Sequence, residues 1–233
     1  MYLRTKLIII LISIISFGYG IAVGKYEIFP YDYLLSIKNQ FTKVEIDVEG
    51  RNREHLINQY EVFSRKVDVV MVGDSLTASG RWSDIFPYLR IANRGVSADK
   101  ASDILLRIDS IVSTKPKIAF LSFGINDLKE GIPINRILND YELIIAHLLD
   151  HDINVVAQST IQCSCGFVTQ INILNEGLRE LANKKKITYL DLGELALKTG
   201  LEEEFTYDGI HLTGKAYKHW FKKMLPIVSS YDF

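Results

Sequence analysis

The sequence predicts an α/β fold in which a five-stranded parallel sheet is covered by helices on both faces. Two observations support this prediction. From residue 67 onwards, short runs rich in β-branched residues alternate with longer segments whose apolar residues recur at helical spacing. The short runs are apolar almost throughout, which is typical of parallel strands buried on both faces. Since a helical segment follows most of these runs, successive strands are expected to run parallel.

The predicted elements follow one another in a regular order. The strands are VDVVMV (67–72), LRIAN (89–93), IAFLSF (118–123), INVVAQS (153–159) and ITYLDL (187–192). Helical spacing covers residues 98–112, 134–149, 171–185 and 214–228. In such sheets ligands bind outside the carboxyl ends of the strands. Polar residues that come directly after a strand are therefore the candidates for a functional site.

The chain has 233 residues, and its first 24 predict a membrane anchor or a signal segment. Residues 7–23 are uncharged and mostly Ile and Leu. As a helix they would span about 26 Å, near the lower limit for a bilayer. Arg4 and Lys6 precede them, which by the positive-inside rule directs the following domain outward. Two interpretations stay open: an uncleaved single-pass anchor, which we favour, and a signal peptide cleaved near Gly24 that releases a secreted domain.

Residues 25–66 are predicted to be a connecting arm, followed by the main domain at 67–233. The second half of the arm has helical spacing, with apolar residues at Leu56, Ile57, Tyr60 and Phe63. We expect it to pack as an ordinary arm of the domain.

Composition excludes several classes of protein. Residues 25–233 carry 25 basic and 28 acidic side chains, which is not the basic footprint of a nucleic-acid-binding domain. The chain is 48% hydrophobic and 24% charged, so it is not intrinsically disordered. Cys163 and Cys165 are too few for a disulfide framework or a structural zinc site. A bridge between them would be strained but feasible, and we expect two small loop residues instead.

Four polar blocks lie near the carboxyl ends of predicted strands, and together they suggest nucleophilic catalysis. They begin at Gly73-Asp74-Ser75, Asn93-Arg94-Gly95, Gly124-Ile125-Asn126 and Asp208-Gly209-Ile210-His211. A serine hydroxyl becomes a useful nucleophile when a histidine removes its proton, and that histidine needs an acceptor on its other ring nitrogen. A carboxylate three residues before the histidine can supply this contact. Glycine amides and an asparagine side chain are suitable donors for a developing oxyanion.

These blocks resemble the GDSL, or SGNH, hydrolase family. They read VVMVGDSLTASG, IANRGVSADKA, LSFGINDL and YDGIHLTGKAY, in the order that the family shows. The resemblance covers residues 67 to about 228 and implies a doubly wound, flavodoxin-like sheet. It also implies hydrolysis of acyl esters or thioesters with no metal and no cofactor.

The resemblance assigns roles to five residues. Ser75 would be the nucleophile, His211 the general base, and Asp208 the group that orients His211. The amides of Ser75 and Gly95 and the side chain of Asn126 would form the oxyanion hole. Many relatives have a second glycine three residues after the first, and here that position is Ala98.

Other polar residues are expected to have structural roles. Asp74 should hold its turn, and Asp127 should accept hydrogen bonds in its loop. His147 and His151 lie four apart on a predicted helix but lack the Glu of a metalloprotease motif, so no metal site is expected.

The resemblance leads to an exported serine esterase that acts on small acyl esters. The segment RWSDIFPYLRIANRGVSADKASDIL resembles the branch that contains platelet-activating-factor acetylhydrolase-like and carbohydrate acetylesterase members. An O-acetylated carbohydrate is the favoured substrate. A lysophospholipase or thioesterase, an O-acyltransferase with the same triad, and a non-catalytic binding module remain alternatives. The expected partners are the substrate and, through residues 7–23, a membrane. The sequence does not indicate the oligomeric state.

Overall fold

The computed structural model describes residues 2–26, 28–31, 33–34, 48–193, 196–197 and 200–233. These residues form two compact units, Met1–Val48 and Glu49–Phe233. The division falls inside the predicted connecting arm of residues 25–66, so the second half of that arm packs with the main domain.

The first unit contains helix α1 (Tyr2–Tyr26). Within it, Ile8–Tyr26 is 19 residues long and apolar enough to cross a membrane by length and composition. The large apolar side chains from Ile8 to Ile21 that the structure describes are exposed, and none forms a buried core face. The helix therefore has the character expected of an anchor or a signal segment.

The second unit contains a five-stranded sheet, a short hairpin and nine α-helices within the described residues. The sheet strands are β1 (Val69–Gly73), β2 (Ile91–Gly95), β3 (Ile118–Ser122), β4 (Asn154–Gln158) and β5 (Thr188–Leu190). An antiparallel hairpin, β6 (Ala196–Leu197) and β7 (Gly200–Leu201), was not predicted. The helices are α2 (Val48–Val62), α3 (Ser75–Ala78), α4 (Trp82–Ile85), α5 (Ala101–Leu106), α6 (Ile108–Val112), α7 (Ile125–Lys129), α8 (Ile134–Leu149), α9 (Val168–Lys185) and α10 (Gly214–Val228).

The sheet has the order β2-β1-β3-β4-β5, and every neighbouring pair is parallel. This confirms the predicted doubly wound α/β fold. The chain moves from β1 to one side and then returns to the other side with β3, so the strand order reverses between β1 and β3. Ligands of such folds bind at this switch point.

Helices cover both faces of the sheet, and the strand pleat separates two hydrophobic clusters. Along β1, Val70 and Val72 belong to one cluster, whereas Val69 and Met71 belong to the other. The first cluster packs against α5, α6, α8 and α9, and the second against α4 and α10. The alternation explains why the strands are apolar at every position rather than at every second one.

The helix predicted at residues 98–112 is broken in the structure. The segment 98–112 forms two short helices, α5 and α6, which meet at Arg107. At this break Arg107 has φ −113°, and its guanidinium is buried. Periodicity alone did not show the break because the apolar residues keep helical spacing across it.

Candidate active site

Three strands of the sheet end at the same level. Gly73 at the end of β1 pairs in register with Gly95 of β2 and with Ser122 of β3. The polar blocks that follow these strands therefore start side by side, although up to 50 residues separate them in sequence. This register brings the Ser75, Gly95 and Asn126 blocks to one edge of the sheet.

Ser75 is the first residue of α3, directly after the turn at the end of β1. Asp74 caps this helix, since its Oδ1 accepts the N–H of Leu76 at 3.0 Å. Asp74 is buried, and burial raises its pKa to about 7. Gly73 is required at the turn because a Cβ there would lie 2.1 Å from the carbonyl oxygen of Ser122. The expectation that Asp74 holds the turn is confirmed.

The turn before α10 places an aspartate beside the ring of His211. Asp208 Oδ1 accepts the backbone N–H groups of Ile210 and His211 at 2.9 and 2.8 Å. The other oxygen, Oδ2, lies 2.6 Å from His211 Nδ1. The hydrogen bonds from His211 and the two backbone amides hold the pKa of Asp208 well below its usual range.

Ser75 and His211 meet across 136 residues of sequence. Ser75 Oγ lies 3.3 Å from His211 Nε2. When Nδ1 carries its proton toward Asp208, Nε2 has a lone pair available for the serine hydroxyl. The structure thus brings Asp208, His211 and Ser75 into one continuous line of hydrogen bonds. This is the arrangement that activates a serine nucleophile.

The candidate oxyanion donors are arranged differently from the expectation for Gly95. Its N–H donates to the side-chain oxygen of Asn93 at 2.9 Å, so in this structure the amide is not available to an oxyanion. Asn126 Nδ2 donates to the carbonyl of Asp99 at 3.1 Å and retains a second N–H. Ala98, at the position of the second glycine of many relatives, has φ +62°, in the left-handed region that favours glycine.

The sequence profile described as the GDSL-like lipase/acylhydrolase family matches residues 71–219, well over half of the chain. The chain belongs to this family. The match begins in β1 and ends within α10, so it includes all four polar blocks. Membership confirms the resemblance to GDSL-like lipases and acylhydrolases.

Solved structures share the fold of this protein. A GDSL-like lipase from Bacteroides thetaiotaomicron has a TM-score of 0.69 at 18% identity, covering 77% of this chain and 98% of that one. An acetylxylan esterase from Geobacillus stearothermophilus, solved as a catalytic mutant, has a TM-score of 0.61 at 13% identity, covering 71% and 95%. An acetyl xylan esterase with 20% identity also has a TM-score of 0.61, covering 69% and 99%. At these identities the likeness shows the fold alone.

Curated relatives match through part of their length. An N-acylneuraminate cytidylyltransferase of Streptococcus agalactiae serotype V is 26% identical over 160 residues, which are 66% of this chain and 37% of the relative. The serotype III protein is 24% identical over the same length. The chain therefore spans little more than a third of the length of these relatives.

The loop after β4 borders the turn that carries His211. Cys163 and Cys165 form a disulfide, with their Cα atoms 5.1 Å apart. This corrects the expectation of two small loop residues, because that separation is within the range a disulfide spans. Between them, the N–H of Ser164 donates to the carbonyl of Gly209 at 2.7 Å. The loop therefore lies next to the turn that carries His211.

Sequence reasoning missed Thr206, which holds the His211 turn from the other side. Its Oγ1 donates to the carbonyl of His211 at 2.8 Å and accepts the N–H of Gly209 at 2.9 Å. The signal was the hydroxyl residue two positions before Asp208, since serine and threonine often bond the backbone of a following turn.

Asp127 and the histidines outside the triad have structural contacts. Both carboxylate oxygens of Asp127 accept the N–H of Ala101, at 3.1 and 3.2 Å, which confirms its expected role in the loop. Burial raises the pKa of Asp127 to about 6. The rings of His147 and His151 lie 4.7 Å apart. Within the described residues, no three His, Cys, Asp or Glu side chains form a group that could hold a metal ion.

Proposed function

We propose that this esterase hydrolyses short acyl esters of a carbohydrate, with Ser75, His211 and Asp208 as its catalytic triad. One observation carries the proposal: the line of hydrogen-bond contacts from Asp208 Oδ2 through His211 to Ser75 Oγ, with distances of 2.6 and 3.3 Å. The second distance is somewhat long, as is common for a catalytic contact before substrate binds.

The reaction begins when Ser75 Oγ attacks the acyl carbonyl carbon and His211 Nε2 takes the serine proton. Asp208 stabilises the resulting imidazolium and keeps the ring oriented. The tetrahedral intermediate collapses as His211 gives the proton to the leaving sugar hydroxyl. Water then attacks the acyl-enzyme with His211 again as the base, which releases the carboxylic acid and restores Ser75.

We propose Ser75 N–H, Asn126 Nδ2 and the N–H of Ala98 as the oxyanion donors, with Ala98 in place of Gly95. In the loop after β2, the amides of Gly95, Val96 and Asp99 have hydrogen-bond acceptors. Among the described residues, no acceptor is found for the amides of Ser97 and Ala98. Of these two, Ala98 stands at the position of the second glycine of many relatives. An amide without an internal acceptor in the loop after the strand is suited to a developing negative charge.

Two features support a short acyl group on a sugar. The small cavity lined by Asp74 and Leu76, which flank Ser75 in sequence, and by Ile210 measures about 10 Å³. That space holds about one water molecule and does not admit a long acyl chain. A second, open cavity of about 530 Å³ shares Thr160 with the first one. Its lining includes Gln162, Asn172 and Asp191. Amide and carboxylate side chains of this kind can bond sugar hydroxyls.

Some of the relatives described above support this substrate class. Two of the structural neighbours are named acetyl xylan esterases, and the curated relatives are named for N-acylneuraminate, an acylated sugar. The charge of −3 on residues 25–233 gives the domain no electrostatic attraction to anionic lipid. We further propose that α1 exports the domain and, as an uncleaved anchor, keeps it at the outer face of the cytoplasmic membrane.

A hydrolysis panel tests the proposal. The substrates are acetylated xylooligosaccharides, acetylated sialic acid, a lysophospholipid and an acyl thioester, with a free sugar added in one arm as acyl acceptor. We expect release of acetate from the acetylated sugars, and loss of that activity in Ser75→Ala. Ser83→Ala, which removes an exposed serine hydroxyl on α4, is the matched control and should keep full activity.

Several results would contradict the proposal. Equal turnover by wild type and Ser75→Ala would exclude the triad, and no labelling of Ser75 by a fluorophosphonate would favour a binding module. Turnover confined to the lysophospholipid or the thioester would exclude the carbohydrate ester. Transfer of acetate to the added sugar in preference to water would identify an acyltransferase. A mature protein that starts at Lys25 would exclude the uncleaved anchor.

A further inference from the structure

Helix α2 contacts the loop that carries the proposed oxyanion donor, although it lies outside the residues that match the family. The match begins at residue 71, whereas α2 covers Val48–Val62. Tyr60 Oη donates to the carbonyl of Gly95 at 3.0 Å. About two turns earlier, Arg53 Nε donates to Asp99 Oδ1 at 2.8 Å. The helix therefore holds both ends of the loop of residues 95–99.

The side chain of Tyr60 is held by Arg94 as well as by its hydrogen bond to Gly95. The guanidinium of Arg94 lies over its ring, with Cζ 4.3 Å from the centroid. Arg94 is itself buried and donates to the carbonyl of Phe63 at 3.2 Å, just after the end of α2. Burial raises the pKa of Tyr60, so its hydroxyl keeps the proton that it donates. The contact with Gly95 is thus held in one geometry.

Asp99 is the second fixed point of the loop. Its side chain is fully buried and is shared by Arg53 and Arg107, whose Nε lies 2.7 Å from Oδ2. A buried carboxylate needs such partners to remain charged. Since Arg107 stays in place when Arg53 is removed, the carboxylate keeps one cationic partner and the domain is expected to fold.

Asp99 also contacts the side chain of a proposed catalytic donor. Its backbone carbonyl accepts the Nδ2 of Asn126 at 3.1 Å, so its position sets the direction of the second N–H of that amide. In the middle of the loop, Val96 and Ser97 line a cavity of about 220 Å³ together with Asn52 and Leu56 of α2. The loop is therefore held against α2 by the polar contacts at its ends rather than by continuous packing.

From these contacts we infer that α2 positions the oxyanion hole, with Arg53 and Tyr60 as positioning residues that act through the loop 95–99 and Asn126. The inference rests on the proposed function. Oxyanion donors must be aligned to a fraction of an ångström, and a displacement of about 1 Å can cost up to about 100-fold in rate. This helix, which the chain adds before its family domain, would then set the turnover rate of the site.

Arg53→Ala and Tyr60→Phe test the inference in the full chain. We expect kcat, counted per active site titrated with a fluorophosphonate, to fall about 10-fold, with KM changing less than about 3-fold. Arg53→Lys, which retains the charge, should recover part of the loss. Arg90→Ala is the matched control: Arg90 also pairs with a largely buried carboxylate, Asp68, but at the start of β1, away from the site. Its kcat should equal that of wild type.

A double-mutant cycle separates positioning from simple stabilisation. If Arg53 acts through Asn126, Arg53→Ala should cost less in an Asn126→Ala background than in wild type. An equal or larger loss in that background would overturn the inference. So would an unchanged kcat per titrated site accompanied by a lower melting temperature, because that result describes a stabilising contact alone. Full activity of Ser75→Ala would instead refute the proposed function, whatever the α2 variants do.

Discussion

Replacement of Asp208 by asparagine should inactivate the enzyme while leaving its turn intact. The asparagine Oδ1 can still accept the N–H groups of Ile210 and His211, which lie 2.9 and 2.8 Å from the present oxygen. The new NH₂ group would replace Oδ2, which is 2.6 Å from His211 Nδ1. Because two donors cannot face each other, Nδ1 must become the acceptor and the proton must move to Nε2. His211 then cannot take the proton of Ser75.

The size of the loss follows from how well water can replace the carboxylate. In buried triads, loss of the aspartate costs about 10⁴-fold in kcat. Here the side chains of Asp208 and His211 are 52% and 49% exposed, so solvent can partly restore the reactive tautomer. We therefore expect a loss of about 10²–10⁴-fold, equivalent to about 3–5 kcal/mol in the activation free energy.

The measurement is kcat on p-nitrophenyl acetate, with the melting temperature recorded beside it. Asp84→Asn is the matched control, because Asp84 is also an exposed carboxylate that holds a side chain, Arg81, by an ion pair. It should leave kcat unchanged. Retention of more than about a tenth of wild-type kcat by a fully folded Asp208→Asn variant would refute the proposed role, since tautomer control would then not limit the reaction.

Three further predictions concern the oxyanion hole, the pH dependence of stability and the core. Asn126→Ala should lower kcat by about 10²–10³-fold with little change in KM, and an equal rise in KM would contradict it. The pKa of Asp74 is about 7 in the native state and about 4 in the unfolded chain. Between these pH values the native carboxyl keeps a proton that the unfolded chain has lost, so the free energy of unfolding falls as the pH rises. Asp74→Asn, which preserves the cap, should flatten this fall in urea unfolding, and an unchanged slope would refute it. Trp220→Ala should lower the unfolding free energy by about 3–5 kcal/mol, because it empties a fully buried site and removes the donor to Gln158.

The elements predicted from periodicity agree with the structure where a helix or strand is long and regular. The helices at residues 134–149 and 214–228 have the predicted bounds, and all five strands are present within two residues of prediction. Prediction failed where backbone geometry departs from the pattern. The break at Arg107 and the hairpin β6–β7 leave no periodic signal, since the first depends on a buried ion pair and the second is only two residues per strand.

The candidate site was predictable to the extent that it depends on local sequence. Asp208 and His211 lie three residues apart in one turn, and Asp74 caps the helix that begins at Ser75. Long-range contacts were not predictable. The contact of Ser164 with Gly209 crosses 45 residues, and even the disulfide between Cys163 and Cys165, two residues apart, does not follow from spacing alone.

By itself the sequence determined the fold class, the apolar N-terminal helix and the residues able to do esterase chemistry. These depend on periodicity, side-chain chemistry and short spacings, which are local properties of the chain. The tertiary structure shows which groups of the loop after β2 are already engaged. The N–H of Gly95 donates to the side chain of Asn93, Ala98 adopts φ +62°, and Arg53 of α2 donates to the side chain of Asp99. The last contact joins residues 46 apart in sequence, and no local pattern indicates it because only folding brings these side chains together.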